Sequence, residues 1–379
     1  MTDTAQPLVS VVVPTYNQAP YIGDTVKSIL GQTHPEVEIV VVDDGSTDST
    51  ADAVPRGDRI DVVRQRNQGV AAARNTGFAR TRGSYLLFVD GDDQLLPTKI
   101  ARDIELLEAR ADLAASYCAW QFFSDDARAE LGESHPRRDG DLLEGLLLKQ
   151  VSPVPAAVTV RRSSLDAVGL FDPACATAGD YDLWIRLALG GHRFGYIDEA
   201  LVRYRIAGSS MSSQLDKMEA AIGLVFDKAF GSPALPAATR GLEGRARAIL
   251  QFELASECFR TGARDAGRRR IERALEHDPD LGRDLPWLAE WLAAVAHGPR
   301  AGAGPDLIDT VVEELPPVID RRRLRRRVEA HVHVVATYLA DQRRDRRKVR
   351  INAAQALRRQ PSVLFNRGFV RILLRALAG

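Results

Sequence analysis

Residues 8–17 read LVSVVVPTYN, a β-branched apolar run that Pro14 closes and the polar Thr15, Tyr16 and Asn17 follow. Apolar character at nearly every position marks a strand buried on both faces, as in a parallel sheet. Outward from it, Ile22, Val26, Ile29 and Leu30 fall on one helical face, which Gly31 ends. Residues 37–42 (VEIVVV) read as a second strand and 60–63 as a weaker third. Residues 69–82 read as an Ala-rich helix stopping at Gly83, and 85–89 (YLLFV) as a fourth strand. Strand and helix alternating at this spacing predict parallel βαβ units with helices on both sheet faces. Right-handed crossovers then bring the strand ends, and any ligand, to one edge.

The polar residues sit where that rule puts a site. Thr15, Tyr16 and Asn17 follow strand one. Asp43, Asp44, Gly45 and Ser46 follow strand two, and Asp90, Gly91, Asp92 and Asp93 follow strand four. Taken singly, Asp-Gly clusters make turns and helix caps. Five carboxylates at one edge repel one another, and a divalent cation is the simplest compensator. Neither GxxxxGK[ST] nor GxGxxG follows strand one, and PTYNQ is too bulky for a backbone cradle around phosphate. A nucleoside diphosphate here has to be met by metal on acidic side chains.

The whole chain has 379 residues, which suggests two domains. Its 45% apolar and 27% charged residues exclude a mainly disordered chain or a disulfide scaffold. The zero net charge hides a division: residues 1–220 hold 22 basic and 32 acidic residues, and 221–379 hold 29 and 19. We therefore expect one domain over 1–220 and a helical, Arg-rich one over 221–379, with a linker near 298–305 (GPRAGAGP). Cys118, Cys175 and Cys258 lack any CxxC spacing, so reduced thiols and a cytoplasmic setting are expected. No apolar run approaches the roughly 20 residues that span a bilayer, and residues 1–7 show no secretory n-region.

Five motifs then stand in order: VVVPTYN (11–17), VVDDGSTDST (41–50), NQGVAAARNTG (67–77), YLLFVDGDD (85–93) and GDYDLWIRL (179–187). Together they resemble an inverting family 2 glycosyltransferase, over about residues 8–212. The resemblance implies a GT-A fold, a Rossmann-like and mostly parallel sheet flanked by helices, followed here by an all-α region. It implies transfer of one sugar from a nucleotide-sugar, UDP-sugar favoured, to a glycan or lipid-linked acceptor in cell-surface polysaccharide or glycoconjugate synthesis. Pro14, Thr15 and Tyr16 would contact the nucleoside, with Asn17 and Asp43 in the same site and Asp44 accepting from the base N–H. Arg74 would sit near the phosphates or sugar. Asp90 and Asp92 would form the DxD pair, Asp92 holding Mg²⁺ or Mn²⁺ and Asp90 lying nearer the ribose and metal. Asp180 would be the catalytic base and Trp184 would pack beneath the acceptor.

Residue chemistry runs alongside these roles. Hard divalent cations prefer carboxylate and phosphate oxygens, and a cation offsets charge on a departing diphosphate. The attacking hydroxyl needs a base, and a carboxylate opposite the leaving group can serve. Asp180 and Trp184 share a helical face, and the dipole at the helix start is expected to lower the Asp180 pKa. Asp182 is a second acceptor-side candidate, with an intrahelical pair to Arg186 as its plainer use. Asp93 is expected to cap the helix that follows it. In residues 116–123 (SYCAWQFF), Trp120, Phe122 and Phe123 are read as core first and sugar-stacking second.

The chain departs from the family pattern at YRIAGSSMS, where Ala207 stands in place of the usual histidine. His192 is not read as a substitute. The processive signature QxxRW is absent, which favours single-sugar transfer. Two other readings compete: a sugar-nucleotide nucleotidyltransferase, whose Gly-rich basic loop is missing, and an inactive scaffold, which Ala207 would suit. In the C-terminal half, residues 245–279 resemble one tetratricopeptide-like helix pair, although a generic bundle is the better label. Basic runs occupy 321–327 and 343–350. In 365–377, Val370, Leu373, Leu374 and Leu377 form a stripe beside Arg367, Arg371 and Arg375. Two readings of that helix stand side by side. One is contact with an anionic membrane surface, peripheral on the inner face of the plasma membrane; the other is a solvated face on a packed helix. No nucleic-acid partner is expected, since no DNA or RNA module accompanies the arginines.

Overall fold

The opening β-branched run forms a strand, in a computed structural model that describes residues 6–125, 130–206, 215–297, 304–342 and 344–377. The order is β1 (Val9–Thr15), α1 (Ile22–Leu30), β2 (Val37–Asp43), α2 (Thr50–Ala53), β3 (Ile60–Arg64), α3 (Val70–Phe78), β4 (Tyr85–Phe88), β5 (Gln94–Leu95) and α4 (Lys99–Ala109). There follow β6 (Leu113–Phe123), β7 (Glu130–Ser134), α5 (Leu143–Leu147), β8 (Val158–Arg161), α6 (Arg162–Val168), α7 (Gly179–Leu189), β9 (Arg193–Arg205), α8 (Leu215–Phe230) and α9 (Ala237–Arg240).

One sheet runs β3-β2-β1-β4-β8-β6-β9-β5, with β7 on β6. The β3-β2-β1-β4 half is parallel, as the sequence pattern predicts. Beyond β4 the sheet is mixed: β8 is antiparallel to β4 and β6, while β9 runs parallel to β6. Its architecture is that of a GT-A-type sheet flanked by helices. Pro14 does not end β1, which continues through Thr15. The Val12 carbonyl faces β4 and the Thr15 carbonyl faces β2, so Pro14 points towards β4. There β4 pairs only as far as Val12, and the missing N–H breaks no ladder bond.

Two close approaches set the site's frame. A Cβ on Gly77 would lie 2.3 Å from Val12 Cγ1, so only glycine lets α3 press onto β1. A Cβ on Gly91 would lie 2.3 Å from Gln18 Oε1 and 2.8 Å from Thr15 Oγ1, so the turn after β4 nests against the turn after β1. Beneath this edge Lys99 and Asp103 form an ion pair with both side chains fully buried. Ser116 Oγ and Thr159 Oγ1 donate to the same carboxylate at 2.9 and 2.6 Å, which joins α4 to β6 and β8.

The chain divides into two compact units, Met1–Ala246 and Arg247–Gly379. The first unit therefore runs past the boundary expected near residue 220. The reason is α8: Lys228 pairs with Asp182 at 2.5 Å and Asp172 at 2.7 Å, and Phe226 packs edge-on against Tyr181. The second unit is helical throughout its described residues, mostly in α10 (Glu243–Arg260), α11 (Arg264–His277), α12 (Leu285–His297), α13 (Gly304–Glu314), α14 (Arg321–Gln342), α15 (Arg346–Arg359) and α16 (Arg367–Leu377). Its main core gathers Phe252, Ile271, Leu288, Leu292, Val311 and Leu324. Of the expected linker, 298–303 lie outside the described residues, and Gly304 begins α13.

Candidate active site

The turn after β1 is stitched to the turn after β2. Asn17 takes a left-handed φ of 51° and accepts at Oδ1 from Thr47 N at 2.8 Å, while Ser46 Oγ accepts from Asn17 N at 3.0 Å. Tyr16 is left 47% exposed on this rim, with Thr15 buried behind it. Asp43 is buried, accepts from Ser46 N at 2.9 Å and faces Arg64 Nε at 3.3 Å. The buried Asp44 carboxylate accepts from Gln65 Nε2, Gln68 N and Gly69 N at 2.7–3.0 Å, and so shapes the loop leading into α3. Pro14, Thr15, Tyr16, Asn17, Asp43 and Asp44 thus lie on or just behind one rim.

The acidic centre lies at the end of β4. Arg74, buried in α3, donates from Nη2 to Asp90 Oδ1 at 2.7 Å, and its guanidinium lies 5.0 Å from the centre of the Phe171 ring. Asn75 holds Phe171 in place with two hydrogen bonds, at 2.8 and 3.1 Å. Burial pulls the Arg74 pKa down, but Asp90 and then Asp180 outweigh it and hold the pKa above its usual value. One cation therefore serves both carboxylates. Asp92 is pushed up to about 6, first by burial and then by Asp90. Asp93 is pushed well above the carboxylate range by burial and by Asp92.

Two expectations are corrected here. Asp93 does not cap α4. It accepts from Arg205 N at 3.0 Å, and its Oδ2 has no hydrogen-bond partner. Asp180 sits in the first turn of α7, yet its pKa is raised rather than lowered. Burial outweighs Arg74 and the backbone N–H groups, because the short helix start cannot replace the lost water. The two acceptor-side candidates are placed away from open surface. Asp182 is buried and doubly neutralised by Arg186 Nε at 2.7 Å and by Lys228. Trp184 is a core residue donating to Pro153 O at 3.2 Å. Trp120 and Phe123 are likewise buried.

Sequence reading missed a second cation. Arg205, at the end of β9, donates to the Asp92 carbonyl at 3.0 Å and to Asp125 Oδ1 at 2.5 Å. It lies 4.3 Å from the Tyr21 and Phe123 ring centres, and Tyr21 O–H donates to Asp125 Oδ2 at 2.7 Å. Tyr204 beside it has its pKa raised by burial and then by Asp93, Asp90, Asp180 and Asp92. The only signal was the YR pair of residues 204–205. Ala207 lies outside the described residues.

The donor set suits a hard divalent cation. Asp90 and Asp92 offer oxygen ligands whose mutual repulsion Arg74 and Arg205 offset only in part, since the Asp92 pKa stays raised, and Asp93 Oδ2 is unpartnered nearby. Among the described residues no three His, Cys, Asp or Glu side chains form a ready shell, so ligand phosphate would have to complete it. The same strain predicts a stability effect. The Asp92 carboxyl titrates at about 6 folded and near 4 unfolded, so its stabilising contribution is full below pH 4 and is lost as pH rises through 6. Asp92→Asn should therefore raise the unfolding free energy of the ligand-free protein at pH 7 by on the order of 1–3 kcal/mol. Equal melting curves for the two proteins at pH 7 would contradict this.

Residues 10–167 match the family model described as Glycosyl transferase family 2. The chain is 32% identical over 216 residues to TuaG of Bacillus subtilis (strain 168), which carries the name of a teichuronic acid biosynthesis glycosyltransferase. That match covers 55% of this chain and 82% of TuaG. It is 29% identical to the uncharacterized glycosyltransferase RP339 of Rickettsia prowazekii (strain Madrid E), over 56% of this chain and 69% of that protein. In fold it is similar to S. aureus TarS 1–349 in complex with UDP-GlcNAc (TM-score 0.51, 18% identity, 93% of this chain and 92% of that one). It is also similar to the mannosyltransferase PcManGT from Pyrobaculum calidifontis in complex with GDP-Man and Mn²⁺ (TM-score 0.52, 20% identity, 82% and 88%).

Proposed function

We propose, for a chain that belongs to glycosyl transferase family 2, that it moves one sugar from a nucleotide-sugar to a glycan or lipid-linked acceptor with inversion at the anomeric carbon. The observation that carries this reading is the convergence of Asp90, Asp92, Arg74 and Asp180 at the end of β4. A UDP-sugar is the favoured donor and cell-surface polysaccharide or glycoconjugate synthesis the setting, as the names of TuaG and TarS's ligand suggest by analogy. The enzyme would work peripherally at the cytoplasmic face of a membrane, in contact through its C-terminal basic helices.

On this reading Tyr16 lies against the base, with Pro14, Thr15, Asn17, Asp43 and Asp44 shaping its pocket. Asp92 and Asp90 would hold Mg²⁺ or Mn²⁺, which when bound offsets charge on the leaving diphosphate. Arg74, fixed on Phe171, orients Asp90 and keeps positive charge beside the donor. Asp180 takes the proton of the acceptor hydroxyl as it attacks. Burial raises its pKa, which makes it a stronger base than a free carboxylate, and Arg74 opposes that rise.

Calorimetric titration with UDP, dTDP, GDP and CDP, each with and without Mn²⁺, tests this. One nucleotide is expected to bind in a metal-dependent manner, with at least tenfold weaker binding in Asp92→Asn. Binding of none would favour an inactive scaffold instead.

A further inference from the structure

The α15–α16 hairpin carries apolar surface that its own core does not use. Phe369, Ile372 and Ala376 of α16 are buried in clusters with Val334 and Ala340 of α14 and with Val349, Ala353 and Ala356 of α15. Leu374 and Leu377 face the other way, each 60% exposed, and in the turn before α16 Leu364 is 54% and Phe365 88% exposed. On α15, Ile351 is also more than half exposed. Arg350 Nε donates to the Ala376 carbonyl at 2.7 Å, which brings this turn of α15 beside the end of α16. Five of the seven large apolar side chains exposed among the described residues therefore fall within residues 351–377. The apolar stripe read from the sequence is split: Val370 and Leu373 lean on the core, and Leu374 and Leu377 do not.

Charge says what covers this face. Residues 343–379 hold eleven Lys or Arg, one Asp and no Glu. At 100° per residue Arg371 lies about 60° and Arg375, which pairs with Asp341 at 2.9 Å, about 100° from Leu374 on the side of α16 away from Leu377, and Arg347 and Arg358 fall on the arc of Ile351 on α15. Arg347, Arg358 and Arg371 are exposed and have no acidic partner among the described residues. An apolar band edged by unpaired guanidinium groups matches a surface that is apolar below and anionic above. Arginine stems lie along apolar surface while their heads reach phosphate. At 11 residues, α16 is about 16 Å long, half the hydrocarbon thickness of a bilayer, so it would lie in the surface rather than cross it.

We propose that the outer face of the α15–α16 hairpin docks on an anionic lipid bilayer. Leu364, Phe365, Leu374 and Leu377 enter the headgroup–acyl boundary, and Arg347, Arg358 and Arg371 meet lipid phosphates. The proposal rests on the peripheral setting given above and names the face that provides it.

The test is co-sedimentation of the full chain with phosphatidylcholine vesicles, with and without 30% phosphatidylglycerol. The wild type is expected to bind the anionic vesicles at least tenfold more tightly, with the difference shrinking in high salt. Phe365→Gln/Leu374→Gln and Arg347→Glu/Arg371→Glu should each lose at least tenfold, with unchanged melting curves because all four side chains are exposed. Wild-type binding that both variants retain would overturn this face while sparing the peripheral setting. No wild-type binding would overturn both. A dimer in light scattering that Phe365→Gln/Leu374→Gln converts to monomer would assign the face to a second copy and overturn the lipid proposal. Nucleotide affinity, measured separately, is expected to be the same in every variant.

Discussion

Asp180→Asn is expected to lower sugar transfer by about 10²–10⁴-fold, the usual contribution of a general base. The substitution keeps the size of the side chain and removes the proton acceptor. Among the described residues Asp180 makes no hydrogen bond to the nucleotide rim, so nucleotide affinity should stay within about twofold. The measurement is release of nucleoside diphosphate from the donor, with calorimetry alongside. The wild-type profile should rise with pH as Asp180 ionises, through a midpoint above the ordinary carboxylate value because burial raises it. Arg74 opposes that shift, so Arg74→Met should move the acid limb to higher pH as well as weaken donor binding. Unchanged turnover in Asp180→Asn would remove it from the mechanism.

The largest effect on stability is expected at Asp103. Its carboxylate is fully buried, pairs with an equally buried Lys99 and accepts from Ser116 and Thr159. Burial raises its pKa and Lys99 opposes the rise, so the two charges depend on each other. Asp103→Ala strands the ammonium in a dry interior and should cost about 3–5 kcal/mol. At roughly 2–4 °C per kcal/mol for a unit of this size, the first thermal transition should fall by about 6–20 °C. Lys99→Met/Asp103→Leu, which removes both charges, should recover most of the loss. A fall of less than about 3 °C in Asp103→Ala would show that the lysine reaches water.

These two residues show what kind of information a sequence carries. Asp180 stands out as a candidate in the sequence because its motif stands in order with four others and opens a helix. Asp103 does not: Lys99 and Asp103 have the i, i+4 spacing of an ordinary surface pair, and nothing local says that β6 and β8 close over them. Arg205 was overlooked for the same reason. Its contacts with the Asp92 carbonyl and Asp125 span 113 and 80 residues. The Asp180 pKa shift also runs against the local rule, since the helix-dipole argument sees one turn and desolvation depends on everything packed around it.

The parallel half of the sheet, the carboxylates at its edge and the helical character of the second half follow from the sequence alone, because they rest on periodicity and on turn residues next to one another in the chain. Tertiary structure alone decided the rest. It placed Asp182 and Trp184 in the core, gave Arg74 to Asp90 and Asp180 together, tied α8 to α7 through Lys228, and turned Leu374 and Leu377 outward while Phe369 and Ile372 went in. Each of these depends on which distant element supplies the neighbouring atoms, and burial and charge pairing are properties of that neighbourhood rather than of any stretch of chain.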